Sequence, residues 1–471
     1  MMPHRPPSPR RPAAVALAGL LLLAGAVGAR DFSIQPLSDP QGNSRLPSIG
    51  PGGLVAWQSY SLHADASPVA TRPDVLAATP GTHRSDVFVW RDGAAQNITR
   101  DDTRIAARSE RPVVSGDAVV FLSVFKDNVG GGYPFELVIP DKTDLMRQME
   151  SDYPTLFDPP LPAPKSALEA AASNPPPDET AAPEIQEQPD KTIQRQMWRT
   201  SGKDADVAVY RPDSGIERIT PGTRHFNAPV FSEAGAAFLC ARGWPYGYEM
   251  LVWKSGTDRL LQITTNYFYV LNPDVHGNEL VFQAWDGNDY EIYRYLFDSG
   301  RIEQITNNQF DDISPVVWSG EIAWVAHPTV SAEIFHFKDG VIRKISENTQ
   351  DNSAPCIWEG RVVWQAYDDT DLEVYYFNGS RTIKLTSNAW DDLAPQIRDG
   401  LITWMSYVDN WDSEIMALDL GDYLAVQLTN DEFEDSFPKT AGEKIVWQTV
   451  TESGSIVQMA APQGAREGAI R

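Results

Sequence analysis

Short runs of apolar and β-branched residues alternate with Gly, Asn and Asp along most of the chain. Such runs, bounded by turn residues, are typical of β-strands and hairpins. One phrase of this kind, ITNNQFDDISPVVWSGEIAW at 305–324, returns at 385–404 as LTSNAWDDLAPQIRDGLITW and at 428–447 as LTNDEFEDSFPKTAGEKIVW. A repeat at this period indicates the fold more strongly than any single residue does.

The repeat can be followed by two markers, an aliphatic residue before Thr or Ser and a Pro ten positions later. Eight copies occur, about 40 to 44 residues apart where nothing is inserted. Ile98/Pro112 has four extra residues, and the other pairs are Leu37/Pro47, Ile219/Pro229, Ile263/Pro273, Ile305/Pro315, Ile345/Pro355, Leu385/Pro395 and Leu428/Pro438.

Each copy predicts four short strands, named A to D. In the sixth copy they are expected at 355–358, 361–365, 372–377 and 381–386, with tight turns at 359–360 and 378–379. Four antiparallel strands per repeat, repeated radially, describe a β-propeller. The predicted fold is therefore an all-β, eight-bladed propeller, with seven blades as the alternative because blades one and two are the least regular.

The two ends of the chain complement each other. Residues 455–460 supply a strand C without a following strand D, whereas 32–38 form a strand D with no blade before it. We expect the N-terminal strand to close the last blade, which removes an exposed sheet edge.

Residues 1–29 have the features of a secretory signal. Arg5, Arg10 and Arg11 precede an apolar core at 13–26, and Val-Gly-Ala at 27–29 suits cleavage. The apolar core is too short to span a bilayer, and no later stretch is long enough. The sequence thus predicts a periplasmic or secreted protein whose mature chain has no membrane span.

The remaining chain divides around one insertion. Residues 30–121 supply the closing strand, blade one and the start of blade two, and 205–460 supply the rest of the propeller. The insertion at 122–204 contains ten Pro between Ser151 and Asp190, a composition that predicts partial disorder. Residues 461–471 form a polar tail.

The chain is strongly acidic. Its net charge of −25 becomes about −28 once the three arginines of the signal are removed. This charge argues against nucleic acid and anionic lipid as partners. It favours cations, basic protein patches or neutral sugars, and we expect a monomer.

Antiparallel order places the A–B and C–D turns on one face of the disc, and the B–C loops and D–A links on the other. The first face consists mostly of tight Gly turns, whereas the second receives the insertions and most of the recurrent acids. We call the second surface the loop face. Variable loops on a rigid scaffold commonly carry function.

Aromatic residues and acids recur together on the loop face. The D–A link places an aromatic residue before two acids, as in Phe433-Glu434-Asp435. The carboxylates can tie blades together by accepting backbone hydrogen bonds, and the aromatic rings can pack between blades. Alternatively, the carboxylates and the aromatic rings together bind Lys or Arg side chains of a partner protein, or a sugar. The candidates are Trp285, Phe310, Asp311, Asp312, Tyr367, Trp390, Asp391, Asp392, Trp411, Phe433 and Asp435.

The B–C loops carry Asp, Asp and Glu at positions i, i+3 and i+5. Carboxylate oxygens suit calcium, although three carboxylates fall short of the six to eight oxygens that it takes. Otherwise no cofactor is expected. The candidate metal ligands are Asp286, Asp289, Glu291, Asp368, Asp371, Glu373, Asp409, Asp412 and Glu414.

Signatures of catalysis are weak. No histidine recurs in the repeat, and the chain has no HExxH or GxSxG motif. We name no catalytic residue, and the sequence favours a protein that is not an enzyme without excluding hydrolase or lyase chemistry.

The phrases EIYRYLFDSGRIEQITNN, EVYYFNGSRTIKLTSN and PVVWSGEIAW resemble the TolB-type propeller repeat. The resemblance covers the mature chain except the insertion. It implies the propeller fold but little about activity, because this repeat occurs in periplasmic scaffolds, peptidases and sugar-acting enzymes. The first functional hypothesis is a non-catalytic scaffold that binds an envelope protein. The second is a propeller that binds or cleaves a glycan on the same face.

Overall fold

A computed structural model describes ten stretches of the chain. They are residues 32–39, 43–62, 83–126, 136–138, 205–220, 226–241, 248–257, 259–264, 270–408 and 412–462. The predicted signal segment, most of the insertion and the tail after residue 462 lie outside these ranges, as do the predictions made for them.

The described residues form 33 β-strands and no helix. Repeats one to four contain β2 (Ser44–Ile49), β3 (Val55–Leu62), β4 (His83–Arg91), β5 (Ala94–Asn97), β6 (Ile105–Ser115), β7 (Ala118–Phe125), β9 (Asp206–Arg211), β10 (Gly215–Arg218), β11 (Phe226–Phe231), β12 (Gly235–Ala241), β13 (Tyr248–Lys254), β14 (Arg259–Gln262), β15 (Val270–His276), β16 (Glu279–Trp285), β17 (Tyr290–Leu296) and β18 (Ile302–Gln304).

Repeats five to eight continue the pattern. They contain β19 (Asp312–Trp318), β20 (Glu321–Ala326), β21 (Glu333–Lys338), β22 (Val341–Lys344), β23 (Asn352–Trp358), β24 (Arg361–Tyr367), β25 (Leu372–Phe377), β26 (Thr382–Lys384), β27 (Asp392–Arg398), β28 (Leu401–Ser406), β29 (Glu414–Asp419), β30 (Leu424–Gln427), β31 (Glu434–Ala441), β32 (Lys444–Thr451) and β33 (Gly454–Pro462). Two further strands are β1 (Phe32–Pro36) and β8 (Glu136–Val138).

Repeats four to seven each form one four-stranded antiparallel sheet in chain order. Repeats one and two share a larger sheet, because β4 and β6 are joined through the single pair Ser85 and Arg108. The prediction of an all-β fold made of four-stranded antiparallel sheets is confirmed, whereas the number of blades stays a prediction.

Strand boundaries in the sixth repeat differ slightly from the predicted ones. Strand A begins earlier, at Asn352, because Asn352 and Ser353 still pair with β24 beyond a bulge. Strand D ends at Lys384. Beyond this residue the N–H of Val374 in strand C donates to the hydroxyl of Thr386, at 2.8 Å, instead of to a backbone carbonyl of strand D.

The strand β8 was not predicted from the sequence. This short strand from the insertion pairs in parallel with β14 and becomes the fifth strand of the repeat-three sheet. A three-residue strand inside an insertion carries too little periodicity to be recognised.

Every A strand carries a bulge at its Pro. The residue before the Pro has a φ between 45° and 56°, a left-handed conformation that non-Gly residues seldom adopt. These residues are Leu46, Arg111, Ala228, Asn272, Ser314, Ala354, Ala394 and Phe437. Because the bulge recurs in all eight repeats, it is part of the fold of the repeat and does not mark a functional site.

Glutamine side chains hold several bulges from the preceding repeat. The N–H of Ser314 donates to Gln283 Oε1 at 2.8 Å, and the N–H of Ala394 donates to Gln365 Oε1 at 2.7 Å. In each case the Gln follows the large aromatic residue of strand B. A bulge leaves a backbone N–H outside the sheet ladder, so these side chains satisfy a group that would otherwise be unpaired.

The core lies between neighbouring sheets. Five Trp residues from B strands are at most 1% exposed, and they are Trp57, Trp324, Trp364, Trp404 and Trp447. Large rings of this kind fill the space between twisted sheets.

The two ends of the described chain meet. Strand β1 pairs with β33, and Ser38 Oγ accepts the N–H of Val457 at 2.9 Å, as Thr386 does for Val374. Trp57 of repeat one packs in the same apolar cluster as Val446 of repeat eight. The first and last repeats are therefore in direct contact.

Candidate binding face

In the loop face, the B–C loops and D–A links are tied together by the first acid of the links that precede repeats five and seven. Asp311 Oδ1 accepts the N–H of Tyr290 at 3.0 Å, and its carbonyl accepts the N–H of His327 of the next repeat at 2.9 Å. Asp391 does the same for Leu372 at 2.9 Å and Tyr407 at 3.1 Å. These acids thus fix the loops of adjacent repeats. This agrees with the structural alternative, in which the carboxylates tie blades together by accepting backbone hydrogen bonds.

The second acid of each link is buried beneath the first. Asp312, Asp392 and Asp435 are at most 1% exposed. Each accepts a hydrogen bond from the indole N–H of its repeat's B-strand Trp, at 2.7, 3.0 and 3.0 Å respectively. Burial raises the pKa of Asp435 to about 6. These three carboxylates lie below the surface that a partner would touch.

The aromatic residues of the links lie between core and solvent. The N–H groups of Phe310 and Trp390 donate to Asn308 Oδ1 at 2.9 Å and Asn388 Oδ1 at 2.7 Å. Phe433 is held in the same way by Asp431. All three rings are half-buried, so each offers part of its surface to a partner.

Two further aromatic candidates end B strands. Tyr367 is the more accessible, with 40% of its surface exposed. Trp285 is half-buried and packs edge-on against Tyr290, with ring centroids 5.4 Å apart. Trp411 lies outside the described residues.

The structure brings together two of the three predicted acid triads. Ligand atoms of Asp286, Asp289 and Glu291 lie within 4.8 Å of one another, and the same holds for Asp368, Asp371 and Glu373. In the third triad, Asp409 lies outside the described residues. Glu414 is buried, and burial raises its pKa to about 8.

The buried third acid of each triad forms a side-chain hydrogen bond with the Thr that stands two residues after strand D. In repeat three, the same arrangement joins Thr264 Oγ1 to Glu249 Oε2 at 2.6 Å, while Thr264 also accepts the N–H of Met250 at 2.8 Å. The Thr or Ser of the repeat marker is therefore a structural partner of the acid. This pairing explains why the two residue types recur together.

A group of cations that pair with acids of strand C or of the B–C loop was not predicted from the sequence. Lys344 Nζ lies 2.7 Å from Glu333 Oε1, and Arg218 lies 2.6 Å from Asp206 Oδ2. Lys384 contacts Asp368 and lies 3.3 Å from Glu373 Oε1. All three residues stand two positions before the Thr or Ser of the marker, a signal that was available in the repeat.

The histidines lie in varied settings. His327 is half-buried at the loop face, where its backbone N–H contacts the carbonyl of Asp311. His336 is buried beside Glu321, at 2.9 Å, and burial lowers its pKa although Glu321 opposes this effect. His225 lies outside the described residues.

No helix in the described part of the chain is long and apolar enough to cross a membrane.

Comparison with known proteins identifies β-propeller structures. The β-propeller domain of the Trilobed protease from Pyrococcus furiosus matches with 9% identity and a TM-score of 0.45, over 83% of this chain and 98% of that domain. TolB from Acinetobacter baumannii matches with 11% identity and a TM-score of 0.34, over 55% and 76% of the two chains.

Oligogalacturonate lyase from Vibrio parahaemolyticus matches with 11% identity and a TM-score of 0.39, over 55% of this chain and 83% of the lyase. No family model and no curated protein matches the sequence. Similarity at this level does not extend to activity, substrate or partner.

Proposed function

We propose that this chain is a secreted or periplasmic eight-bladed propeller of the TolB-repeat type, and that it acts as a non-catalytic scaffold for an envelope protein. The observation that carries this proposal is the charge of the loop face in repeats four to eight. Its connections between residues 286 and 453 contain many Asp and Glu but no Lys or Arg. The partner should therefore present a basic patch.

The closed eight-bladed architecture is supported by contacts between A strands. Each A strand contacts the A strand of the next repeat, and β31 of repeat eight contacts β2 of repeat one. The N-terminal strand also supplies the strand D that repeat eight lacks. A closed ring would hold the loops of different repeats in fixed relative positions, as a docking surface requires.

Export is supported by the sequence of the first 29 residues, which combines a basic start, an apolar core and a small-residue cleavage site.

The loop face has the chemistry of a protein-binding surface. Tyr367 and Trp390 offer partly exposed rings beside the carboxylates of Asp369 and Asp391. Aromatic residues dominate the energy of protein interfaces, and they also attract Lys and Arg through cation–π contacts. Acids without interspersed bases accelerate encounter with a basic partner.

The proposal can be tested by crosslinking in cells. A photoreactive residue at Trp390 would lie on the loop face, and one at Glu359 would lie on the opposite, Gly-turn face. We expect a discrete protein adduct from Trp390 and none from Glu359. Absence of an adduct from Trp390, in a folded and exported protein, would contradict the scaffold proposal in its simple form.

Salt dependence separates the partner classes. Binding to a basic protein should weaken steeply between about 50 and 500 mM salt, because the Debye length shortens over this range. Binding to a neutral glycan should change little. An array of neutral glycans that binds the chain independently of salt would support the glycan-binding alternative instead.

A further inference from the structure

The acid triads of repeats four and six have the same backbone geometry. Asp286 Oδ1 accepts the N–H of Asn288 at 2.8 Å, and Asp368 Oδ1 accepts the N–H of Thr370 at 3.1 Å. In both loops the first Asp also donates its own N–H to the carbonyl of the second Asp at 3.0 Å. The two loops therefore present their carboxylates in equivalent positions.

In repeat six, a Lys supplies the positive charge for this triad. Lys384 Nζ forms an ion pair with Asp368 Oδ2 and lies 3.3 Å from Glu373 Oε1. The hydrogen bond from Lys384 is the main reason that the pKa of Asp368 lies well below its usual range. The triad is thus occupied by a cation that belongs to the chain.

Repeat four has a neutral residue at the equivalent position. Lys384 pairs with Tyr375 in the sheet register, and Gln304 pairs with Tyr293, the corresponding residue of repeat four. Lys344 and Arg218 occupy this position in repeats five and two and contact their buried acids. Replacement by Gln removes the ammonium group while the acids remain.

One carboxylate of repeat four lacks a partner that its counterpart in repeat six has, because Asp371 accepts a hydrogen bond from the hydroxyl of Thr370 at 3.0 Å. Asp289 is 5% exposed, and neither of its oxygens receives a hydrogen bond of normal geometry within the described residues. Glu291 is fully buried, and its Oε2 is without a donor there, as is Oε2 of Glu373 in repeat six. Buried carboxylates without partners are costly unless a cation compensates them.

The surrounding charges add to this cost. Ligand atoms of Asp286, Asp289 and Glu291 all lie within 4.8 Å of one another, so the three carboxylates repel when they are ionised. A divalent cation at this point would offset that repulsion.

We propose that Asp286, Asp289 and Glu291 bind one hard divalent cation, with Ca²⁺ as the expected ion. Carboxylate oxygens are the ligands that Ca²⁺ prefers. Asp286 is half-buried at the loop face, so the ion can enter there and water can complete its coordination. The site does not depend on the scaffold role proposed above.

Calorimetric titration of the EDTA-treated full chain with CaCl₂ tests the proposal. We expect one Ca²⁺ to bind with a Kd on the order of 0.1–1 mM, because three protein carboxylates are few for this ion. Tb³⁺ luminescence excited through the adjacent Trp285 gives a second readout. Absence of Ca²⁺ binding at about 10 mM would overturn the proposal.

Exchange of residues between the two repeats locates the ion. Gln304→Lys should place an ammonium in the repeat-four triad and lower Ca²⁺ affinity at least tenfold, as should Asp289→Asn. Lys384→Gln should create a second Ca²⁺ site in repeat six. Asp298→Asn on the Gly-turn face is the matched control and should leave binding unchanged.

Thermal unfolding of each variant shows whether it is folded, and Gln304→Lys keeps the test valid if Asp289→Asn fails to fold. If Gln304→Lys and Lys384→Gln, both folded, each bind one Ca²⁺ with unchanged affinity, the assignment is wrong.

Discussion

The guanidinium carbon of Arg398 lies 4.1 Å from the ring centroid of Trp318, although the two residues belong to repeats seven and five. The imidazole of His276, from repeat four, stacks on Trp318 with ring centroids 3.8 Å apart. All three residues end A strands. The Arg side chain therefore reaches past repeat six and links sheets that are not neighbours in the chain.

Arg398→Met should destabilise the fold by about 1 kcal/mol, because it keeps the apolar stem and removes the cation–π contact. Urea denaturation measures the change. Arg361→Met is the matched control, since Arg361 lies 5.2 Å from Trp358 within its own repeat. An equal effect of the two substitutions would mean that the contact between repeats contributes nothing extra.

Asp274 should make stability depend on pH. Its Oδ2 accepts the N–H of Val317 at 2.8 Å, and burial raises its pKa to about 6, although Lys439 and Arg398 oppose this shift. The thiol of Cys356 also faces this cluster. The folded state therefore holds the proton more tightly than the unfolded state, whose pKa is near 3.8.

It follows that the protonated carboxyl of Asp274 adds to the free energy of unfolding at low pH. This contribution to the free energy of unfolding is lost as the pH rises from about 4 to about 6. Asp274→Asn should remove this part of the slope in the free energy of unfolding, which urea titrations at several pH values measure. A slope unchanged by the substitution would show that Asp274 titrates normally in the folded state.

The spacing of the repeat was sufficient to predict the strands. In repeat six, strand C was predicted at its observed bounds, Leu372–Phe377, because alternating apolar residues and Gly or Asn turns act locally. The placement of β1 beside β33 also followed from the sequence, since one end lacked the strand that the other end supplied.

The roles of individual acids and cations in the candidate site could not be predicted from the sequence. The acids of a link look alike in the sequence, yet Asp311 holds the loop backbone while Asp312 is buried against Trp324. The difference arises because Asp312 is the first residue of β19, whereas Asp311 precedes the strand and its carboxylate accepts the N–H of Tyr290. The importance of Lys384 depended on the sheet register, which sets it beside strand C and its acid.

Gln448→Ala should weaken the contact between the ends of the described chain. Gln448 Oε1 accepts the N–H of Leu46 at 3.3 Å, and this bond joins repeat eight to repeat one. Loss of a hydrogen bond to a partly buried N–H should cost about 1 kcal/mol. Gln365→Ala, which removes the same bond between repeats six and seven, is the control.

Limited proteolysis distinguishes the two Gln substitutions. Gln448→Ala should accelerate cleavage near β1 and β2, whereas Gln365→Ala should not, although both lower the midpoint in urea. Cleavage at the same rate in both variants would contradict a special role for Gln448 at the junction.

Substitutions at Trp404 and Asp392 test a buried pair that occurs as Trp–Asp in three repeats and as Trp–Asn in repeat six. Trp404 is fully buried, and its indole N–H donates to Asp392 Oδ1 at 3.0 Å. Trp404→Phe should cost about 3 kcal/mol, because it leaves both a cavity and a buried carboxylate that has lost a donor.

Asp392→Asn should cost less than about 1 kcal/mol at neutral pH, since the amide oxygen can still accept the indole N–H. Repeat six already uses this combination, with Asn352 accepting from Trp364 at 2.8 Å. Burial also raises the pKa of Asp392, so a neutral side chain relieves the cost of a buried charge. Thermal and urea unfolding of both variants measure the difference, and a larger loss in Asp392→Asn than in Trp404→Phe would show that the charge itself stabilises the repeat.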